Sequence, residues 1–161
     1  MTTILRALFA VTTGTLLQVG SCVTVTRNDS PDPGGTPSPT QVTVRFVNAS
    51  PNALDVEFFA SATATSDPAT LFVGTNQITA GIGVAGRGVI EAGGSDSINV
   101  DCANAATIST KGGLFLDTEG VVLGQGTQRI LSLGTAYSCG ETITFTYQGA
   151  GSSFSTSYIV Q

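Results

Sequence analysis

The chain contains no histidine and no tryptophan, and it has a single methionine. The missing imidazole excludes Ser-His and Cys-His nucleophile pairs, histidine metal ligands and a charge switch near neutral pH. Charge is also scarce: Asp, Glu, Lys and Arg make up 11% of residues, against about 25% in an ordinary domain. The surface must therefore be solvated mostly by Ser, Thr, Asn, Gln and backbone. Six basic residues against eleven acids give a net charge of −5. That sign is wrong for a phosphate-binding surface, so nucleic acid is not expected as a partner. With three cysteines and no histidine, a four-ligand zinc site is not expected, and no cofactor is implied. What is present is 41% apolar residues, 20 Gly and 6 Pro in 161 residues. That is enough for one domain, with about forty residues to spare.

The spare length lies at the front. Arg6 is the only charge before Cys22, and Ala7 to Val19 is largely apolar. This run has the length of a signal-peptide core and is too short for a membrane span of about 20 residues. Gly20 and Ser21 then lead into Cys22. Val19-Gly20-Ser21-Cys22 resembles the lipobox of bacterial lipoproteins. The resemblance implies cleavage before Cys22 and acylation of that residue. The plainer alternative is a secretory signal cut near Ser21, with Cys22 left as a free thiol. The expected organisation is a signal peptide over 1–21, a lipidated Cys and Pro/Gly-rich tether over 22–41, and a folded domain over 42–161.

An odd number of cysteines in an exported chain needs an explanation. Pairing Cys102 with Cys139 and acylating Cys22 uses all three. Such a disulfide contributes about 4 kcal/mol in the chain-entropy picture. The alternative is two unrelated buried thiols. Behind Cys22, Pro31, Pro33, Pro37 and Pro39 flank Gly34 and Gly35, a composition that reads as a disordered linker. From Val23 to Gln41 it would reach about 25 Å as coil and about 55 Å as polyproline II.

From Val42 onward the texture is short alternating runs bounded by Gly, Pro, Asn and Asp. Val42, Val44 and Phe46 share one face of a strand, and Thr43, Arg45 and Val47 share the other. Leu54, Val56 and Phe58 repeat the phase, with Asp55, Glu57 and Phe59 opposite. Further strands are expected near 71–73, 89–91, 97–102, 113–116, 121–123 and 129–133. The clearest runs from Glu141 to Tyr147, with Phe154 to Val160 as its partner. No window has the spacing of an amphipathic helix outside the signal. The expected fold is all-β, an antiparallel two-sheet sandwich of immunoglobulin-like type.

Residues 44–56, Val-Arg-Phe-Val-Asn-Ala-Ser-Pro-Asn-Ala-Leu-Asp-Val, resemble the opening of the extracellular bacterial and archaeal family called domain of unknown function 4397. The resemblance implies an exported β-sandwich and no particular activity.

Several patterns invite chemistry and have a simpler reading. Arg45 with Asp55 or Glu57 makes an outward ion pair. Asp117-Thr118-Glu119-Gly120 offers hard oxygens for calcium, but reads first as a hairpin turn ending in Gly120. Gly81-Ile82-Gly83-Val84-Ala85-Gly86 matches a nucleotide-loop spacing without the helix that must follow, so a plain loop is expected. Asn28-Asp29-Ser30 and Asn48-Ala49-Ser50 match the glycosylation pattern. Thr142, Thr144 and Thr146 share one strand face, and Ser153, Ser155 and Ser157 on the neighbouring strand would widen it into a flat hydroxyl surface.

The expectation is a non-catalytic, exported lipoprotein of the bacterial cell envelope. It would be lipid-anchored at the outer membrane or cell surface, or secreted if Cys22 is not acylated. Its partners would be the membrane, through the anchor, and an envelope protein or polysaccharide. One alternative is a self-assembling surface subunit that exchanges a strand, for which Val23 to Thr26 has the right alternation. Another is an extracellular hydrolase using carboxylates, which requires a pocket enclosing at least two of them.

Overall fold

A computed structural model of the protein describes residues 26–27, 40–78, 81–83 and 88–161. Twelve strands follow one another: β1 (Thr26–Arg27), β2 (Gln41–Asn48), β3 (Ala53–Asp55), β4 (Phe58–Ser61), β5 (Val89–Ile90), β6 (Ser95–Asp101), β7 (Thr107–Thr110), β8 (Leu114–Leu116), β9 (Val122–Gln125), β10 (Arg129–Ser132), β11 (Thr142–Ala150) and β12 (Ser153–Val160). One layer is a five-stranded sheet in the order β1-β6-β2-β11-β12. The facing layer is split into a four-stranded sheet, β5-β3-β8-β9, and a three-stranded one, β10-β7-β4. The chain is thus the all-β sandwich expected of its alternating runs.

Alternation places the core. Val42, Val44 and Phe46 of β2 and Ile143, Phe145 and Tyr147 of β11 are wholly buried, and their odd-phase neighbours face away. Phe46 meets Phe58 of the facing layer edge-to-face at 5.2 Å, and Phe145 lies parallel to Phe46 at 6.3 Å. Each such side chain contributes about 1.5–3 kcal/mol through burial. At Gly113, φ is +66° and an added Cβ would stand 2.7 Å from Leu54. Only glycine lets the chain turn into β8 against this core.

Four features depart from the sequence expectation. First, β2 and β11 run parallel, with Thr43 opposite Thr142 and Phe46 opposite Phe145, while the other pairs are antiparallel. A parallel neighbour requires a long crossover, and everything from β3 to β10 lies between these two strands. Second, the run from Leu54 to Phe59 is not one strand. It breaks after Asp55, so β3 joins one facing sheet and β4 the other. Third, Leu71 to Val73 is not a strand. Pro68–Leu71 makes a helical turn, α1, capped by the Asp67 carboxylate accepting from the Ala69 N–H at 3.0 Å. Asp before Pro at the first helical position is a start signal. This segment covers Phe59, which is buried against Phe72 at 5.0 Å rather than facing outward. Fourth, β7 was not foreseen. Its four residues, Thr-Ile-Ser-Thr, are all buried in the middle of their sheet.

Within the segment expected to be a linker, Thr26–Arg27 forms β1 on the side of β6 away from β2. Residues 1–25 and 28–39 of the signal and linker, Cys22 included, lie outside the described residues.

Candidate functional site: a hydroxyl-lined sheet face

The outward face of the five-stranded sheet is built by pairing. Asn99, Thr43 and Thr142 stand in one row, joined by a hydrogen bond from Thr43 Oγ1 to Asn99 Oδ1 at 3.0 Å. Ser97, Arg45, Thr144 and Ile159 form the next row, and Ser95, Val47, Thr146 and Ser157 the one after. Ser155 stands opposite Gln148, and Ser153 opposite Ala150 at the hairpin. The Thr and Ser residues expected to share a surface are thus brought together, with Ile159 as an apolar insertion beside Thr144. Rows recur about every 6.7 Å along the strands and about every 4.8 Å across them. Thr142, Thr144 and Thr146 are half-exposed, while Ser153, Ser155 and Ser157 are exposed. Such a face offers many neutral donors and acceptors, one cation at Arg45, and one anion at Asp101, whose row with Gln41 borders that of Asn99.

Arg45 does not pair with Asp55 or Glu57. It belongs to the opposite layer, between Ser97 and Thr144. Glu57 instead meets Lys111 at 3.5 Å and accepts from Gln125 Nε2 at 3.1 Å. The Lys111 ammonium also lies 5.3 Å and 5.7 Å from the ring centres of Phe59 and Phe72. This cluster ties the α1 segment to the facing layer.

Several carboxylates serve backbone geometry. Asp117 Oδ1 accepts from the Glu119 and Val121 N–H groups at 2.9 and 2.8 Å, closing the hairpin turn between β8 and β9. Asp96 accepts from the Gly83 and Ser97 N–H groups. Asp101 accepts from Gln41 Nε2, and Glu141 from the Ser138 N–H. A hollow of about 300 Å³ beside β6 is lined by Gly83, Glu91, Gly94 and Asp96 among others. It brings two acids to one concavity, but Asp96 is spent on two backbone donors and Glu91 is exposed. Among the described residues the carboxyl held above its ordinary range is Asp55, through partial burial and then the negative charge of Glu57. It lies on β3 opposite Val89, beside the hollow but not among its lining residues. A strained acid and a concavity do not coincide, so the hydrolase alternative gains no support from the geometry.

Cys102 and Cys139 form a disulfide with Cα atoms 6.0 Å apart. Its position follows from strand order. Cys102 ends β6, Cys139 precedes β11, and β2 lies between those strands. The Cys102 N–H donates to the Thr40 carbonyl at 2.9 Å and the Gly140 N–H to the Gln41 carbonyl at 2.8 Å. The bond therefore bridges both neighbours of β2 where the chain enters the sandwich.

The Asn-Ala-Ser-Pro-Asn run has a role that its turn-forming composition conceals. Asn48 and Ser50 are buried. Asn48 Nδ2 lies 2.8 Å from the Asn52 carbonyl, 3.0 Å from that of Ile90 and 3.1 Å from that of Glu91. Asn48 Oδ1 accepts from the Ser50 N–H at 3.1 Å. One amide thus closes the turn after β2 and ties it to the segment between β5 and β6. The side chain is engaged and enclosed, so it is not a glycan acceptor in the folded protein. The only sequence signal was an amide followed two residues later by a hydroxyl, which is the pattern of a local side-chain-to-backbone turn.

Among the described residues no helix is long and apolar enough to cross a membrane. No family model, curated protein or solved structure matches this chain.

Proposed function

We propose that the chain is a non-catalytic exported lipoprotein of the bacterial cell envelope, held by an acylated Cys22 and using its sandwich for binding or structural association. The observation that carries the binding half is the open, nearly uncharged hydroxyl face of β6, β2, β11 and β12. A net of neutral donors and acceptors suits a flat, hydrated polymer such as an envelope polysaccharide, or an uncharged protein surface. The Cys102–Cys139 bond supports the export half, because disulfides persist in oxidising compartments. The resemblance of residues 44–56 to an extracellular family is in keeping with the export half.

The test has two arms. Cell fractionation and mass spectrometry of the mature chain should find it in the membrane fraction with acyl groups on Cys22, and Cys22→Ala should release it. Mature protein in the soluble cytoplasm overturns the export half. Sedimentation with insoluble envelope polysaccharide should be lost on Thr144→Lys with Thr146→Lys, while the fold is retained. Equal sedimentation of the variant overturns this choice of face.

A further inference from the structure

The N-terminal segment and the sandwich meet at one place. Thr26 pairs with Asn99 and Arg27 with Ile98. The other side of β6 is matched by β2 along its whole length, from Gln41 opposite Asp101 to Val47 opposite Ser95. Among the described residues, the other side of β6 thus carries two residues of partner strand along a seven-residue strand. Because β1 and β2 flank β6, the intervening residues 28–40 must carry the chain from one side of that strand to the other. That connection contains Pro31, Pro33, Pro37 and Pro39.

We propose that this side of β6 is a strand-acceptor site whose partner is the N-terminal segment of a second copy, so that copies exchange β1 and associate. The acceptor already pairs with this very sequence, and pairing within or between copies makes the same backbone bonds. Pairing within one copy is favoured only by its linker, at an effective concentration on the order of millimolar. Where copies are crowded above that level, exchange becomes the commoner arrangement. The proposal rests on strand order alone and holds whether or not Cys22 is acylated.

Geometry supplies the test. β1 and β2 lie two strand spacings apart, about 10 Å. Arg27 is opposite Ile98 and Gln41 opposite Asp101, an offset of about 10 Å along β6. The straight path between them is therefore about 14 Å. Deleting residues 29–39 leaves three Cα–Cα steps, at most about 11 Å. The shortened chain cannot close on itself, but it can still reach a second copy.

The chain is purified with Cys22→Ser, Thr26→Cys and Asn99→Cys, with and without the deletion. Directly opposite residues of an antiparallel pair are within disulfide reach. The shortened chain should elute as a dimer and oxidise to a covalent dimer. Removing residues 23–27 should return it to a monomer. A shortened chain that stays monomeric and uncross-linked overturns the proposal, as does a dimer that survives removal of 23–27. If the deletion prevents folding, the undeleted chain decides. Its intermolecular cross-link must rise from about 10 μM to about 1 mM protein, across the linker's effective concentration. A wholly intramolecular link throughout overturns the proposal.

Discussion

Replacing Asn48 tests whether the turn after β2 is held by one buried amide. In Asn48→Ala the Ile90 carbonyl and the Ser50 N–H lose their side-chain partner where solvent does not reach. Each such orphan costs about 1–3 kcal/mol. The Asn52 and Glu91 carbonyls are only partly buried and recover water, so each adds about 0.5 kcal/mol. The total is about 3–7 kcal/mol, a large part of the 5–15 kcal/mol that holds a typical domain. Asn48→Asp is the sharper probe, because it keeps the shape and the acceptor toward Ser50. It also places an anion among three carbonyl oxygens, so its folded-state pKa must rise above the unfolded value of about 3.9. A raised carboxyl pKa means that the folded chain holds the proton more tightly. Stability is therefore lowest above the folded pKa and is regained as pH falls toward the unfolded one. Urea unfolding of variant and parent at pH 7 and pH 5 measures this. The Asn48→Asp deficit should exceed that of Asn48→Ala at pH 7 and shrink at pH 5. Two variants within about 0.5 kcal/mol of the parent, or a deficit that ignores pH, would refute the account of this turn.

Three further outcomes follow. Reduction, or Cys102→Ser with Cys139→Ser, opens a loop with sequence separation 37 and should cost about 4 kcal/mol in urea unfolding; a loss below about 1 kcal/mol would mean that β2 is clamped without the bond. Asp55 is held above its ordinary range by burial and Glu57, so it destabilises the fold at neutral pH and less so as it protonates. Asp55→Asn should raise the thermal midpoint at pH 7 and narrow the gap to the parent near pH 4, and a gap independent of pH would contradict that cause. Burial pushes the Tyr137 and Tyr147 hydroxyls far above their ordinary value of 10.0. In an alkaline absorbance titration they should ionise only on unfolding, and stability should fall once pH passes the unfolded tyrosine value; three tyrosines ionising together in a folded chain would refute this.

How much of this fold was legible depended on where each strand's partners lie. β2 and β11 could be read because their apolar residues recur every second position and all face one core. The Cys102–Cys139 pair could be proposed by elimination, since only those two thiols remain once Cys22 is set aside. β7 was hidden because its polar residues are not at a surface. Thr107 serves the Thr65 N–H at 3.0 Å, and Thr110 takes the Tyr147 hydroxyl at 3.1 Å and the Gly112 N–H at 3.0 Å. Thr65 lies 42 residues from Thr107, and Tyr147 lies 37 from Thr110, so no short window contains them. Buried hydroxyls satisfied at long range look, in sequence, like solvent-facing ones.

The same rule explains why the sheet face was foreseen and the acceptor edge only half so. A face is a property of one strand's alternation, repeated across neighbours of like phase. An edge is a property of strand order, and strand order here turns on β6 lying between β1 and β2, with residues 28–40 crossing from one to the other. Val23 to Thr26 could be read as pairing material from its alternation alone, but nothing local named β6 as the strand that Thr26 and Arg27 pair with. Strand order also sets the cost of leaving that edge thinly covered. An open side of β6 offers backbone donors and acceptors to any extended chain, and a two-residue strand covers few of them. A sheet that keeps such a side beside its own N-terminal segment either closes it within one copy or shares it between two, and the length of the crossing segment decides which.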